Sequence, residues 1–132
     1  MKTKYKTITK TILADMITPV GLYLKLRDIF PCSLLLESSD YHGTKGSFSF
    51  ICLQPLSTFS VKNGVITISA DGFKETIAID KSVMVAEKLN EFRLSFECKT
   101  EGFPVNGIFG YIGYDAIQYF ENISVRSTVN PK

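Results

Sequence analysis

Thr58-Phe59-Ser60-Val61-Lys62-Asn63-Gly64-Val65-Ile66-Thr67-Ile68-Ser69-Ala70-Asp71-Gly72-Phe73-Lys74-Glu75-Thr76-Ile77-Ala78-Ile79 reads as three strands joined by two tight turns. β-branched and aromatic residues dominate each run, which suits a pleated, half-buried surface. Asn-Gly and Asp-Gly tolerate the positive φ angles of a two-residue hairpin turn. A meander from Thr58 to Ile79 is the consequence.

Before the meander, Tyr5 to Ile12 reads as an initial strand, with Ile8 and Ile12 among threonines. Thr18-Pro19 then starts a helix: the hydroxyl can cap free backbone donors, and proline loses nothing at the first helical position. Leu22, Leu26, Ile29 and Phe30 give an apolar stripe from Pro19 to Ile29, and Pro31 ends it. Ser33 to Glu37 reads as a buried strand whose polar exit is Glu37-Ser38-Ser39-Asp40, followed by a loop from Tyr41 to Gly46. Ser47 to Leu53 alternates, with Phe48, Phe50 and Cys52 on one face, until Pro55. After the meander, Val85, Leu89, Phe92 and Phe96 predict an amphipathic helix over Ser82 to Phe96. Gly107 to Tyr114 reads as a strand and Ala116 to Glu121 as a short helix. These elements predict an α+β fold: a largely antiparallel sheet with packed helices.

Composition bounds the function. With 132 residues, 45% apolar residues and a net charge of +2, the chain suits one folded domain and offers no basic stripe for nucleic acid. No apolar run is long enough to span a membrane, and the Lys/Thr-rich start lacks the apolar core of a signal peptide. The expectation is a soluble, cytoplasmic protein. Cys32, Cys52 and Cys98 have neither even number nor Cys-x-x-Cys spacing, and they read as buried thiols.

No motif supplies a catalytic centre. Gly107, Gly110 and Gly113 fit neither the dinucleotide nor the P-loop pattern, and Gly43-Thr44-Lys45-Gly46-Ser47 has its lysine on the wrong side of glycine, ahead of a strand. His42 is the only histidine, so a His-based catalytic pair has a single candidate and a metal site would draw its ligands from acids; in a glycine-flanked loop it reads as a solvated side chain. Asn122-Ile123-Ser124 fits a glycosylation pattern by chance. Glu37 and Ser38 stand where a strand exits into a polar loop, where a carboxylate, a hydroxyl and free backbone groups can meet a small zwitterion.

Thr18-Pro19-Val20, Tyr23-Leu24-Lys25-Leu26-Arg27, Leu34-Leu35-Leu36-Glu37-Ser38-Ser39, Ser49-Phe50-Ile51 leading to Pro55, and Gly107-Ile108-Phe109-Gly110-Tyr111-Ile112-Gly113-Tyr114-Asp115 together resemble component I of anthranilate synthase, in its N-terminal domain. The resemblance covers nearly all of residues 1–132 and implies a regulatory domain truncated before the chorismate-binding catalytic domain. It implies that the intact protein converts chorismate and ammonia to anthranilate and pyruvate with Mg²⁺, the ammonia coming from a glutamine amidotransferase subunit. It also implies an L-tryptophan feedback pocket at Ser38, with Glu37 beside it. Lys45 is the nearest lysine to serve as the pocket's basic residue, at a spacing that departs from the family's. No catalytic or metal residue is implied here, and no activity for residues 1–132 alone. The related aminodeoxychorismate synthase component I of folate biosynthesis shares the Gly-Tyr-Asp run, but Glu37 before Ser38 favours the tryptophan branch. A free-standing ligand- or protein-interaction module is the alternative from another class.

Overall fold

The computed structural model describes residues 3–38, 48–70, 72–98, 106–121 and 123. In chain order the elements are β1 (Thr3–Tyr5), α1 (Pro19–Leu26), β2 (Leu34–Glu37), β3 (Ser49–Cys52), β4 (Ser57–Lys62), β5 (Val65–Ala70), β6 (Phe73–Ala78), α2 (Val85–Leu94), β7 (Phe96–Cys98) and a 3-10 helix, Tyr114–Tyr119. The chain is α+β, and it groups into two compact units, Ile8–Ser57 and Met1–Thr7 with Thr58–Lys132.

In the Ile8–Ser57 unit, α1 begins as the sequence dictates. Thr18 is extended, and its Oγ1 accepts from the Gly21 N–H at 3.1 Å, with Pro19 at the first position. The predicted extension to Ile29 is a turn instead: Ile29 and Phe30 N–H both donate to Leu26 O, at 3.0 and 2.9 Å, a tightening typical of helix ends. None of the α1 residues is buried, so the expected stripe is only partly covered in this unit. The Tyr23 hydroxyl donates to Ser33 O at 3.4 Å and links α1 to the start of β2. β2 and β3 pair antiparallel in the register Leu34↔Cys52, Leu35↔Ile51, Leu36↔Phe50, Glu37↔Ser49. Leu34 to Leu36 are half-buried, where full burial was expected.

In the other unit, β4, β5 and β6 form the predicted meander. Asn63 and Gly64 have φ of 52° and 72°, and Gly72 has 71°, the left-handed values that Asn and Gly tolerate best. β5 and β6 pair antiparallel from Val65↔Ala78 to Ala70↔Phe73. The core sits between this sheet and α2: Ile66 is 0% exposed, Val85 4% and Phe92 8%. The Phe92 ring lies 5.6 Å from Phe59 on β4 and 5.0 Å, edge-on, from Phe96, which lies 5.8 Å from Tyr5. Before α2, the Asp80 carboxylate accepts from Ser82 Oγ and N at 2.6 and 2.7 Å. Those hydrogen bonds from Ser82 hold its pKa below the usual carboxylate range.

Further expectations need correction. The initial strand is Thr3–Tyr5, not Tyr5 to Ile12; it pairs in parallel with β7, and the residues beyond it lie outside that ladder, with Ile8 86% exposed. Parallel pairing of chain-distant segments has no local sequence signal. The α2 helix spans Val85–Leu94, with Phe96 opening β7 instead of closing the apolar stripe. Gly107 to Tyr114 forms no strand, and the following helix is the 3-10 turn at Tyr114–Tyr119. The described strands form three small sheets of two, two and three strands, with the β2–β3 and β5–β6 pairings antiparallel, in keeping with the α+β reading. Cys32 is exposed, against the expectation of burial, while Cys52 is half-buried.

Phe92→Ala should cost about 3–5 kcal/mol, since it removes a buried aromatic side chain from the cluster that packs α2 against Phe59 of the meander and Phe96. Urea denaturation of the chain measures it, and a loss under about 1 kcal/mol would show that the cluster collapses without penalty. Thr18→Ala should lower stability by about 1 kcal/mol. Gly21→Ala should not return the ~1 kcal/mol that alanine ordinarily adds inside a helix, because a Cβ there would sit 2.9 Å from Thr18 Oγ1. A full gain in the denaturant midpoint would contradict the cap.

Candidate functional site

The exit of the β2–β3 ribbon brings Glu37, Ser38 and Ser49 together. Their positions follow from the register: Glu37 is directly opposite Ser49, and the Ser49 hydroxyl donates to Glu37 Oε1 at 3.3 Å. One step further, the Ser38 N–H donates to Phe48 O at 3.0 Å and prolongs the ladder. That N–H is spent within the protein. The Ser38 hydroxyl is exposed and has no hydrogen-bond partner among the described residues.

Side chains alternate along a strand, so Glu37 lies on the face of Leu35 and Ile51 while Ser38 lies towards that of Leu36 and Phe50. The two therefore address a ligand differently. Ser38 offers a hydroxyl that donates or accepts, and Glu37 offers a carboxylate with one oxygen engaged by Ser49. A hydroxyl and a carboxylate suit the polar ends of an amino acid, and the half-buried Leu35, Leu36, Phe50 and Ile51 give apolar surface beside them. Burial of Cys52 pushes its thiol pKa up, away from a reactive thiolate.

Of the residues expected at the site, the structure places Glu37 and Ser38 at one strand end. Lys45 lies outside the described residues, as do His42 and the rest of the loop from Tyr41 to Gly46, and Asn122. The register adds Ser49 to this strand end, a place that depends on pairing across twelve residues; in the sequence it stands only as part of an alternating run and of the Ser49-Phe50-Ile51 stretch of the family resemblance.

Among the described residues, no group of three or more His, Cys, Asp or Glu side chains gathers as a metal site requires. No helix among them is long and apolar enough to cross a membrane. Elsewhere, an open groove runs along β1, lined by Lys4, Tyr5, Lys6, Thr7 and Glu97, where the Thr7 hydroxyl accepts from Asn106 Nδ2 at 2.6 Å. Its charges are surface lysines and one exposed carboxylate.

Several curated proteins are similar to the chain. Anthranilate synthase component 1 of Thermus thermophilus is 32% identical over 119 residues, which is 86% of this chain and 23% of that protein. Anthranilate synthase component 1 of Pseudomonas aeruginosa is 38% identical over 112 residues, 83% of this chain and 22% of that protein. Anthranilate synthase component 1 of Bacillus subtilis is 32% identical over 118 residues, 86% and 22%. The chain thus spans under a quarter of the length of each of these three relatives. No family model matches the chain, and no solved structure matches it.

Proposed function

We propose that this chain, which belongs to the anthranilate synthase component 1 family, is the N-terminal, regulatory part of a longer cytoplasmic polypeptide and holds part of an L-tryptophan feedback site. The observation behind this is the similarity over more than four-fifths of the chain to proteins several times longer. The intact enzyme would convert chorismate and ammonia to anthranilate and pyruvate, with ammonia from a glutamine amidotransferase subunit. Mg²⁺ would belong to the remainder of the polypeptide, as the family resemblance implies.

Two structural features support the division of labour. Ile108, Tyr111, Ile112 and Tyr114 are largely exposed, Tyr111 by 94%, and such an apolar run suits packing against a further, chorismate-binding domain. At the ribbon exit, the Ser38 hydroxyl, without a partner among the described residues, and the Glu37 carboxylate suit the carboxylate and ammonium groups of tryptophan, with Lys45 proposed as a further contact. Inhibition would then be a population shift set by tryptophan's differential affinity for two states of the enzyme.

In the intact polypeptide, Ser38→Ala should raise the tryptophan inhibition midpoint roughly ten- to a hundredfold, since an unpaired polar group at the ligand costs about 1–3 kcal/mol. Ser38→Phe should fill the space and abolish inhibition. Inhibition curves measured beside kcat decide it: an unmoved midpoint with collapsed kcat would make Ser38 a structural residue. The isolated chain should form no anthranilate from chorismate and Mg²⁺ with either ammonium or glutamine. Fluorescence-detected turnover by a preparation free of longer enzyme would refute that assignment.

A further inference from the structure

We infer that Ser49 is a positioning residue for the tryptophan site: its hydroxyl fixes the Glu37 carboxylate so that the remaining oxygen faces the ligand's ammonium group. This rests on the proposed reading that Glu37 and Ser38 meet tryptophan. Glu37 and Ser49 are direct cross-strand partners on one face of the ribbon, and the Ser49 hydroxyl lies 3.3 Å from Glu37 Oε1. It is the only partner of that carboxylate among the described residues.

A glutamate side chain has three rotatable bonds, and left alone at an exposed strand end it samples many rotamers, which a ligand must then freeze. A cross-strand hydroxyl reduces that cost before the ligand arrives. The hydroxyl donates to one carboxylate oxygen and leaves the other oxygen's lone pairs free, so positioning does not consume the group that binds. The backbone is committed in the same direction: the Ser38 N–H is held by Phe48 O at 3.0 Å, so the strand end on which both side chains stand is pinned by the same ladder. Serine at this place serves through its hydroxyl, and threonine keeps that hydroxyl while suiting a strand.

The test uses the intact polypeptide and tryptophan itself, with inhibition midpoints for Ser49→Ala, Ser49→Thr, Glu37→Gln and the double variant Glu37→Gln with Ser49→Ala. Ser49→Ala should raise the midpoint about two- to fivefold, the range of a cross-strand pair, and Ser49→Thr should restore it. The double variant should be no weaker than Glu37→Gln alone, because the two residues act through one contact. An unchanged midpoint in Ser49→Ala, or an effect that adds in full to that of Glu37→Gln, would overturn the inference. If Glu37→Gln and Ser38→Ala both leave the midpoint unmoved, the tryptophan reading of the site fails and the positioning role falls with it.

Discussion

The register between β2 and β3 is the constraint on which the candidate site depends. Pairing Leu36 with Phe50 and Leu35 with Ile51 sets apolar side chains opposite one another, and a slip by one residue would send every side chain of a strand to the other face. The same register sets Glu37 opposite Ser49 and continues to the Ser38 amide bound by Phe48 O. Hydrophobic matching in the ribbon thus fixes polar geometry at its end. Substitutions at Leu35 or Phe50 can therefore disturb the site without touching a ligand.

The two compact units are stabilised in different ways. The unit with the meander has a dry centre, Ile66, Val85 and Phe92, over which Phe59 and Phe96 close. The Ile8–Ser57 unit has no fully buried large side chain among the described residues, and relies on the α1 cap, the Tyr23 hydroxyl on Ser33 and the β2–β3 ladder. Hydrogen bonds of this kind add about 0.5–1.5 kcal/mol each. A feedback site in such a unit, as proposed here, would sit on structure that is inexpensive to shift, which suits a switch between two states.

What was legible in the sequence was local chemistry. Asn63-Gly64 and Gly72 announced their turns because positive φ narrows the choice of residue, and Thr18-Pro19 announced its helix because the cap is made within three residues. What was hidden depended on distant partners. β1 is a strand by virtue of β7, more than ninety positions on, and Phe96 fits an eleven-residue helical offset while stacking edge-on against Phe92 from a strand. Gly107 to Tyr114 reads as a strand from its isoleucines and aromatic residues, yet such residues make a strand only where a ladder exists to join, and the described residues offer it none. At the candidate site, the family motif points to Glu37 and Ser38, whereas the place of Ser49 beside them needs the register.

Hydrogen exchange of the intact polypeptide, with and without L-tryptophan, tests the central claim most directly. Tryptophan should slow exchange of the amides in Leu34–Glu37, Ser38 and Ser49–Cys52, because the ligand would rest on the ribbon exit and stiffen its ladder. Full inhibition by tryptophan with unchanged exchange across both strands would contradict a feedback site at Glu37 and Ser38.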